Sequence, residues 1–208
     1  MNRDAFLSRI RQAVQAGNTA PTPPLPQRQP SLGYQGAGPD PVSRLRDELT
    51  VAGGVFHRAA SWADAFAVVL QLVRDRAGRR VILGLDAPKL ETILLAAGVE
   101  VHHPDEPGTY FDADIGITGV DAVIAETGSI VLHTRPDQPR ALSLLPPIHI
   151  ALADKSKMVA DLFDLFPIAT PPACVSVITG PSKTGDIELK LVTGVHGPGE
   201  VHLVFVDP

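Results

Sequence analysis

The apolar run VILGL (Val81–Leu85) is the stretch of sequence that indicates the fold. A continuous run of this length is typical of a strand buried on both faces of a parallel sheet. Before it, SWAD (Ser61–Asp64) has the form of a capping box with Asp in place of Glu and predicts the start of a helix. After it, Asp86 is expected to cap a helix that runs to Ala97. The alternation predicts βαβ units.

The same pattern of short apolar runs and amphipathic segments extends to both sides of this unit. It predicts further strands near residues 55–58, 99–102, 121–125, 129–133, 148–152, 174–179 and 201–206, and further helices over 42–52, 154–166 and 182–192. Together the elements predict an α/β fold of three layers, in which a mixed, largely parallel sheet carries helices on both faces.

The beginning of the chain has a different composition from the rest. Residues 4–16 have the spacing of a short amphipathic helix, and residues 17–43 are rich in proline, which favours an extended linker. Two interpretations remain open: a tail that is disordered or docks on its own chain, or an arm that docks on a partner. We therefore expect an arm over residues 1–41 and an α/β domain over residues 42–208.

Composition excludes several classes of function. The chain has 208 residues, a net charge of −5 and no basic stripe, so we expect no nucleic-acid partner. Its apolar runs are shorter than the ~20 residues that a membrane-spanning helix needs. Cys174 is the only cysteine, and one thiol supplies neither an intrachain disulfide nor the four thiolates of a typical iron–sulfur cluster. A reducing compartment, the cytoplasm, is therefore expected.

The segment ITGPSKTGDIE (Ile178–Glu188) is the first that could carry chemistry. Ser182 stands where the N-cap of the predicted helix belongs, and free N–H groups beside Lys183 would suit an anion. The spacing of Gly180 and Gly185 resembles a phosphate-binding P-loop, but Asp186 stands where that motif requires Lys, so we reject it. The alternative is an ordinary helix whose acidic first turn interacts with its own dipole.

Two other segments contain titratable groups beside glycine. Glu126 follows an apolar run and precedes a tight turn, so it could act as a base, a nucleophile or a metal ligand at a strand end. A hairpin turn with a solvated glutamate is the alternative. His196 lies in the glycine-rich loop GVHGPGE (Gly194–Glu200), which could approach a ligand closely or could be a plain connection. We find no zinc-ligand spacing among the histidines and predict no metal site.

Four motifs occur in a fixed order: ITGVDAVIAETGSIVL, SLLPPIHIALAD, VITGPSKTGDIE and GVHGPGEVHLVFVD. Together they resemble the lactate-utilisation protein C family, whose members share the LUD domain, over about Val42 to Val206. The resemblance implies a fold similar to sugar-phosphate isomerases, CoA transferases and methenyltetrahydrofolate synthetase. It also implies a component of bacterial L-lactate utilisation. Since its single cysteine cannot hold a cluster, we expect this chain to bind no cofactor by itself. Iron–sulfur clusters are expected on partner proteins that oxidise lactate to pyruvate.

No catalytic residue can be taken over from this family, so the candidates are the positions where motif and physical argument coincide. The catalytic candidates are Glu126 and His196, and the ligand-binding candidates are Thr127, Gly180, Ser182, Lys183, Thr184, Asp186 and Glu188. We expect Glu126, His196 and the Ser182 turn to open into one cavity.

Three functions remain open at this point, and whether the chain is an enzyme is not decided by its sequence. The first is an accessory subunit beside iron–sulfur proteins. The second is a free-standing enzyme or binding protein that holds a phosphate, a carboxylate or a CoA-like anion at the Ser182–Lys183 turn. The third is a structural or regulatory binding protein.

Overall fold

The computed structural model describes residues 2–17, 36–165, 172–185 and 191–208. The chain forms two compact units, Met1–Tyr34 and Gln35–Pro208. The first contains the predicted amphipathic helix, of which none of the residues is buried. Most of the predicted proline-rich linker lies outside the described residues, and the division at residue 41 stays a prediction.

The helices and strands are numbered in chain order. The helices are α1 (Arg3–Gly17), α2 (Pro41–Val51), α3 (Trp62–Asp75), α4 (Pro88–Ala96) and α5 (Leu162–Leu165). The strands are β1 (Val55–Ala59), β2 (Arg80–Gly84), β3 (Glu100–His102), β4 (Ile115–Gly119), β5 (Ala122–Ile124), β6 (Ser129–His133), β7 (Ile148–Asp154), β8 (Met158–Val159), β9 (Val175–Ile178), β10 (Lys183–Thr184), β11 (Val192–Thr193) and β12 (Glu200–Val206).

The main sheet confirms the predicted α/β class. Its six strands lie in the order β1-β12-β7-β4-β2-β3, and every pairing between them is parallel. Antiparallel pairing is found instead in a second sheet of order β8-β5-β6-β9 and in the small β10-β11 ribbon. The carboxyl ends of the six strands therefore meet at one edge of the main sheet, called here the carboxyl edge, and their amino ends meet at the opposite amino edge.

Two apolar cores cover the two faces of the main sheet. On one face, Val69 of α3 and Leu90 of α4 pack against strand residues such as Val81. On the other face, Leu45 and Leu49 of α2 pack with the second sheet against the inner strands of the main sheet. Strands covered on both faces explain the continuous apolar run from which the fold was predicted.

The structure corrects three of the sequence-based predictions. The predicted helix over 154–166 is a short 3-10 turn, strand β8 and the single turn α5. The ends of the predicted helix over 182–192 are the paired strands β10 and β11. Asp86 does not cap α4, since Ala87 is the N-cap and Pro88 begins the helix. By contrast, Ser61 caps α3 as predicted and accepts a hydrogen bond from the Asp64 amide.

Among the described residues, no helix is both long and apolar enough to cross a membrane.

Candidate functional site

The turns that the sequence singled out lie beside the C-terminal end of α2. Gly128 has φ +66°, and a Cβ there would stand 2.1 Å from the Leu49 amide nitrogen. Gly180 has φ +81°, and its Cβ would stand 2.6 Å from the Ala52 carbonyl oxygen. Both positions require glycine, because positive φ and close backbone contact each disfavour a side chain. Helix α2 therefore packs directly on the backbone of two motif turns.

A row of three hydroxyl groups links the same two turns. Thr127 Oγ1 lies 2.7 Å from Ser129 Oγ, which in turn lies 2.7 Å from Thr179 Oγ1. Thr127 and Thr179 are exposed and Ser129 is buried, so the buried hydroxyl of Ser129 links two exposed ones. The described geometry gives these hydroxyls a structural role in joining β6 to the turn after β9.

Glu126 lies in the hairpin turn between β5 and β6, and not at the carboxyl edge of the main sheet. Its side chain is partly buried, and Oε1 accepts a hydrogen bond of 3.0 Å from the Gly36 amide. Its own amide donates to the Ala160 carbonyl. The carboxylate thus holds the segment that leads into α2, and its catalytic role stays a prediction.

The Ser182 turn lacks the helix start on which the predicted anion site was based. The Ser182 amide donates to the Pro198 carbonyl, and its carbonyl accepts from the Gly194 amide. Thr184 pairs with Val192 in the β10-β11 ribbon. No free helical N–H groups are therefore present at Ser182 to receive an anion, while Asp186 and Glu188 lie outside the described residues.

Lys183 instead interacts with the C-terminal end of α2. Its Nζ donates a hydrogen bond of 2.5 Å to the carbonyl oxygen of Ala52, the C-cap residue of that helix. A cation at this position satisfies a terminal carbonyl and interacts favourably with the helix dipole. The side chain is otherwise exposed, so a structural role is established by geometry and an anion-binding role is not.

His196 is exposed in a loop that packs on the Ser182 turn. A Cβ on Gly197 would stand 3.2 Å from Ser182 Cβ, and the Gly199 amide donates to the Pro147 carbonyl just before β7. The structure thus brings the His196 loop and the Ser182 turn together at the amino edge. That these residues share one cavity with Glu126 stays a prediction.

A second candidate site, which the sequence did not reveal, lies at the carboxyl edge of the main sheet. It is a cavity of about 380 Å³ beside the ends of β1, β12 and β7, which are neighbouring strands. We call it the basic cavity; its lining residues are Asp40, Val42, Ser43, Arg46, Phe56, Arg58, Lys155 and Asp207. Open α/β sheets commonly bind ligands at this edge.

Asp207 organises the charges of the basic cavity. Its side chain is only 4% exposed, and its two oxygens accept from Arg58 Nη2 at 2.6 Å and from Lys155 Nζ at 3.1 Å. The hydrogen bond from Lys155 is the main cause that holds the pKa of Asp207 below its ordinary value, and the charge of Arg58 adds to it. One buried carboxylate thus holds two cations side by side.

The first turn of α2 forms the opposite wall of the basic cavity. Asp40 caps this helix by accepting from the Ser43 amide at 3.2 Å. Arg46, one turn further along, pairs with the exposed Asp47 at 2.8 Å and contributes the third cation. These residues come from four separate parts of the chain. The only available signal was that Arg58, Lys155 and Asp207 lie at or just after predicted strand ends.

Two further pockets, which are apolar, lie along the same edge. One, of about 430 Å³, shares Lys155 with the basic cavity and is also lined by Trp62. The other, of about 400 Å³, lies between Trp62, Phe66, Leu85 and Pro88. The carboxyl edge therefore carries a charged cavity and two neighbouring apolar pockets.

Several histidine rings are buried or half-buried within the strands of the main sheet. His57 Nε2 lies 3.1 Å from His202 Nδ1 in neighbouring strands, and their rings stack with centroids 5.3 Å apart. Burial lowers the pKa of both rings, and for His57 the charge of His202 adds to the effect. His149 is fully buried, with Nε2 2.9 Å from Thr118 Oγ1, and burial lowers its pKa to about 4. These rings are neutral at physiological pH.

Within the described ranges, no group of three or more His, Cys, Asp or Glu side chains has the arrangement of a metal site.

Comparison with known proteins places this geometry in a family. The model of the LUD domain family matches residues 42–206, which is most of the chain. The chain belongs to the LUD domain family. A crystal structure of a DUF162 family protein from Deinococcus radiodurans superposes with a TM-score of 0.60 and 25% sequence identity, covering 81% of this chain and 97% of that one.

Relatives of this chain include proteins named Lactate utilization protein C. The one from Anoxybacillus flavithermus is 44% identical over 99 residues, covering 46% of this chain and 45% of the relative. The one from Bacillus subtilis is 39% identical over 103 residues, covering 46% and 43%. An uncharacterized protein from Neisseria meningitidis is 38% identical over 104 residues, covering 48% and 45%. The chain thus matches less than half the length of these relatives.

Proposed function

We propose that this chain serves bacterial L-lactate utilisation as a component that acts beside proteins carrying iron–sulfur clusters. The observation that carries the proposal is the similarity, at about 40% identity, to proteins named Lactate utilization protein C, together with membership of the LUD domain family. The four motifs that resemble this family lie within residues 117–207, and all but the last of these residues fall in the range 42–206 that the family model matches.

Cysteine content supports the assignment of the electron-transfer step to partners. A typical iron–sulfur cluster needs four thiolates, and Cys174 is the single cysteine of the chain. Electrons from lactate would therefore enter a cluster on another protein, while this chain contributes assembly, substrate positioning or regulation.

Deleting the gene in its own organism tests the role in lactate utilisation. The deletion should abolish growth on L-lactate as the sole carbon source and leave growth on pyruvate unchanged, because only the oxidation step is lost. Supplying the gene on a plasmid should restore growth. Normal growth of the deletion strain on L-lactate would contradict the proposal.

Affinity purification of the tagged chain from cells grown on L-lactate tests the partnership. The co-purified proteins should show the visible absorbance and electron paramagnetic resonance of iron–sulfur clusters. A chain that purifies alone, from cells whose extract oxidises L-lactate at the normal rate, would contradict the accessory role.

A second candidate function is the binding of a small anion at the Ser182–Lys183 turn, with Glu126 or His196 moving a proton. The contact between the His196 loop and Ser182 favours it. Phosphate, CoA and nucleotides should then raise the melting temperature of the wild-type protein and not that of Lys183→Ala. Equal responses of the two proteins would contradict it.

A further inference from the structure

We propose that the basic cavity binds a small monocarboxylate anion, held by Arg58 and Lys155 with Arg46 as the third cation. The inference rests on the geometry of the carboxyl edge and is independent of the proposed function.

Charge is the first argument for an anion. Arg46, Arg58 and Lys155 give the lining one more positive than negative charge, since Asp40 and Asp207 are its acidic members. Both oxygens of Asp207 are already hydrogen-bonded, so this carboxylate neutralises part of the positive charge and offers no site to a cation. Asp47, which pairs with Arg46, lies outside the lining, so a single incoming negative charge balances the charges that line the cavity.

Donor capacity is the second argument. A guanidinium has five N–H donors and an ammonium has three, and Asp207 takes one from Arg58 and one from Lys155. The side chains of Arg58 and Lys155 are 63% and 64% exposed, so their other donors can reach a ligand. The planar guanidinium of Arg58 suits the two oxygens of a carboxylate.

Preorganisation is the third argument. The Asp207 amide donates to the Ala59 carbonyl at 2.9 Å, which extends the pairing of β1 with β12 and fixes the residue that holds both cations. Lys155 follows β7 directly, in a turn where the Asp154 carboxylate accepts from the Ser156 amide. The two cations are therefore positioned before a ligand arrives, which reduces the entropy cost of binding.

Size and apolar lining define the ligand class. The cavity volume of about 380 Å³ is at the small end of the range for ligand sites. Val42 and Phe56 supply an apolar wall, and Phe56 is supported by Phe205, with ring centroids 5.8 Å apart. The carboxylate of Asp40 disfavours a second negative charge. A short acid with one carboxylate and a small apolar body fits these features better than phosphate.

Isothermal titration of the full chain with L-lactate, pyruvate, acetate and inorganic phosphate, at constant ionic strength, tests the proposal. At least one of the three carboxylates should bind with a stoichiometry of one and more tightly than phosphate. Arg58→Gln and Arg46→Gln should each weaken the binding of that carboxylate about tenfold or more, which is the usual effect of losing a charged hydrogen-bond donor. Arg46→Gln guards the test against misfolding, because the exposed side chain of Arg46 pairs with the exposed Asp47, and losing this surface pair should not unfold the domain.

Arg76→Gln is the matched control. It removes the same charge at the amino edge, where Arg76 pairs with Glu200 at the surface, and should leave the affinity within twofold. The proposal is overturned if no carboxylate binds saturably, if phosphate binds more tightly, or if Arg76→Gln weakens binding as much as Arg46→Gln.

Discussion

His149 determines how the stability of the domain should depend on pH. The ring is buried without a hydrogen-bond partner for Nδ1, and its pKa is lowered from 6.5 to about 4 by burial. In the unfolded chain the ring binds a proton near pH 6.5, whereas in the folded protein it stays neutral until about pH 4. The unfolded state therefore binds more protons between these values, and stability is lost as the pH falls.

We expect the free energy of unfolding to be constant above pH 7 and to fall between pH 6.5 and pH 4. The contribution of His149 is on the order of 3 kcal/mol, and the lowered pKa values of His57 and His202 act in the same direction. Urea unfolding at pH 7.5, 5.5 and 4.5 measures the effect. His149→Gln should show a flatter pH profile, and His196→Gln, which changes an exposed ring, should follow the wild type. Equal slopes for wild type and His149→Gln would contradict the assignment.

Substitutions of Gly128 and Gly98 can measure separately the energetic cost of a strained backbone and the cost of a steric clash. Both have positive φ, but a Cβ on Gly98 meets nothing within 4 Å, whereas one on Gly128 meets the backbone of Leu49. Gly98→Ala should cost about 1–2 kcal/mol from the backbone conformation alone. Gly128→Ala should cost about 2–5 kcal/mol, because α2 must also move. Urea unfolding of both variants measures the difference. Equal losses of unfolding free energy would show that α2 moves away from the new side chain at no cost.

At the scale of the elements, the N-caps of α3 and α4 form a matched pair. Ser61 caps α3 through its hydroxyl, whereas Ala87 at the start of α4 provides no side-chain cap. Ser61→Ala should lower the melting temperature, at a cost of about 1 kcal/mol, and Ala87→Ser should raise it by a smaller amount. Thermal unfolding checks both variants. A loss in Ala87→Ser as large as that in Ser61→Ala would mean that the α4 backbone does not admit a capping geometry.

Elements with strong local signals were predicted correctly, and those determined by distant contacts were not. The apolar runs at β2, β7 and β12 are recognisable because both faces of each strand are covered. Strand β4 was missed because Gly116 and Gly119 interrupt its apolar pattern. Glycine is needed at position 116, since a Cβ there would stand 2.1 Å from the Leu142 carbonyl oxygen, and the local sequence does not reveal this contact.

Distant contacts also explain the wrong predictions for the second half of the chain. Lys183 and Thr184 follow a serine that resembles an N-cap, but their pairing with Val192 and Thr193 makes them a strand. The basic cavity was not predictable, because Arg58, Lys155 and Asp207 are brought together only by the order β1-β12-β7. The motif turns, by contrast, were predicted. Their residues Gly128 and Gly180 must be glycine because the backbone of α2 lies against them, so packing explains part of the motif sequences.

At the scale of the whole molecule, the first unit should be dispensable for folding. None of the α1 residues is buried, and Phe6, Ile10 and Val14 are among the exposed large apolar side chains. A chain beginning at Gln35 should therefore keep the melting temperature of the full chain within about 2 °C, which for a domain of this size corresponds to a loss of no more than about 1 kcal/mol. Differential scanning calorimetry of both proteins measures it, and a drop of more than 5 °C would show that the first unit stabilises the second.

Strand β12 lies between β1 and β7, although it follows every other strand of the described residues along the chain. On the ribosome, β1 is made well before β12, the strand with which it pairs in the described part of the main sheet. Until then β1 has no partner edge, and β7 has an open edge that could pair with another nascent chain. Assembly of the interior must therefore wait until synthesis has passed Val206, which makes the newly made polypeptide a natural client for chaperones that shield unpaired edges.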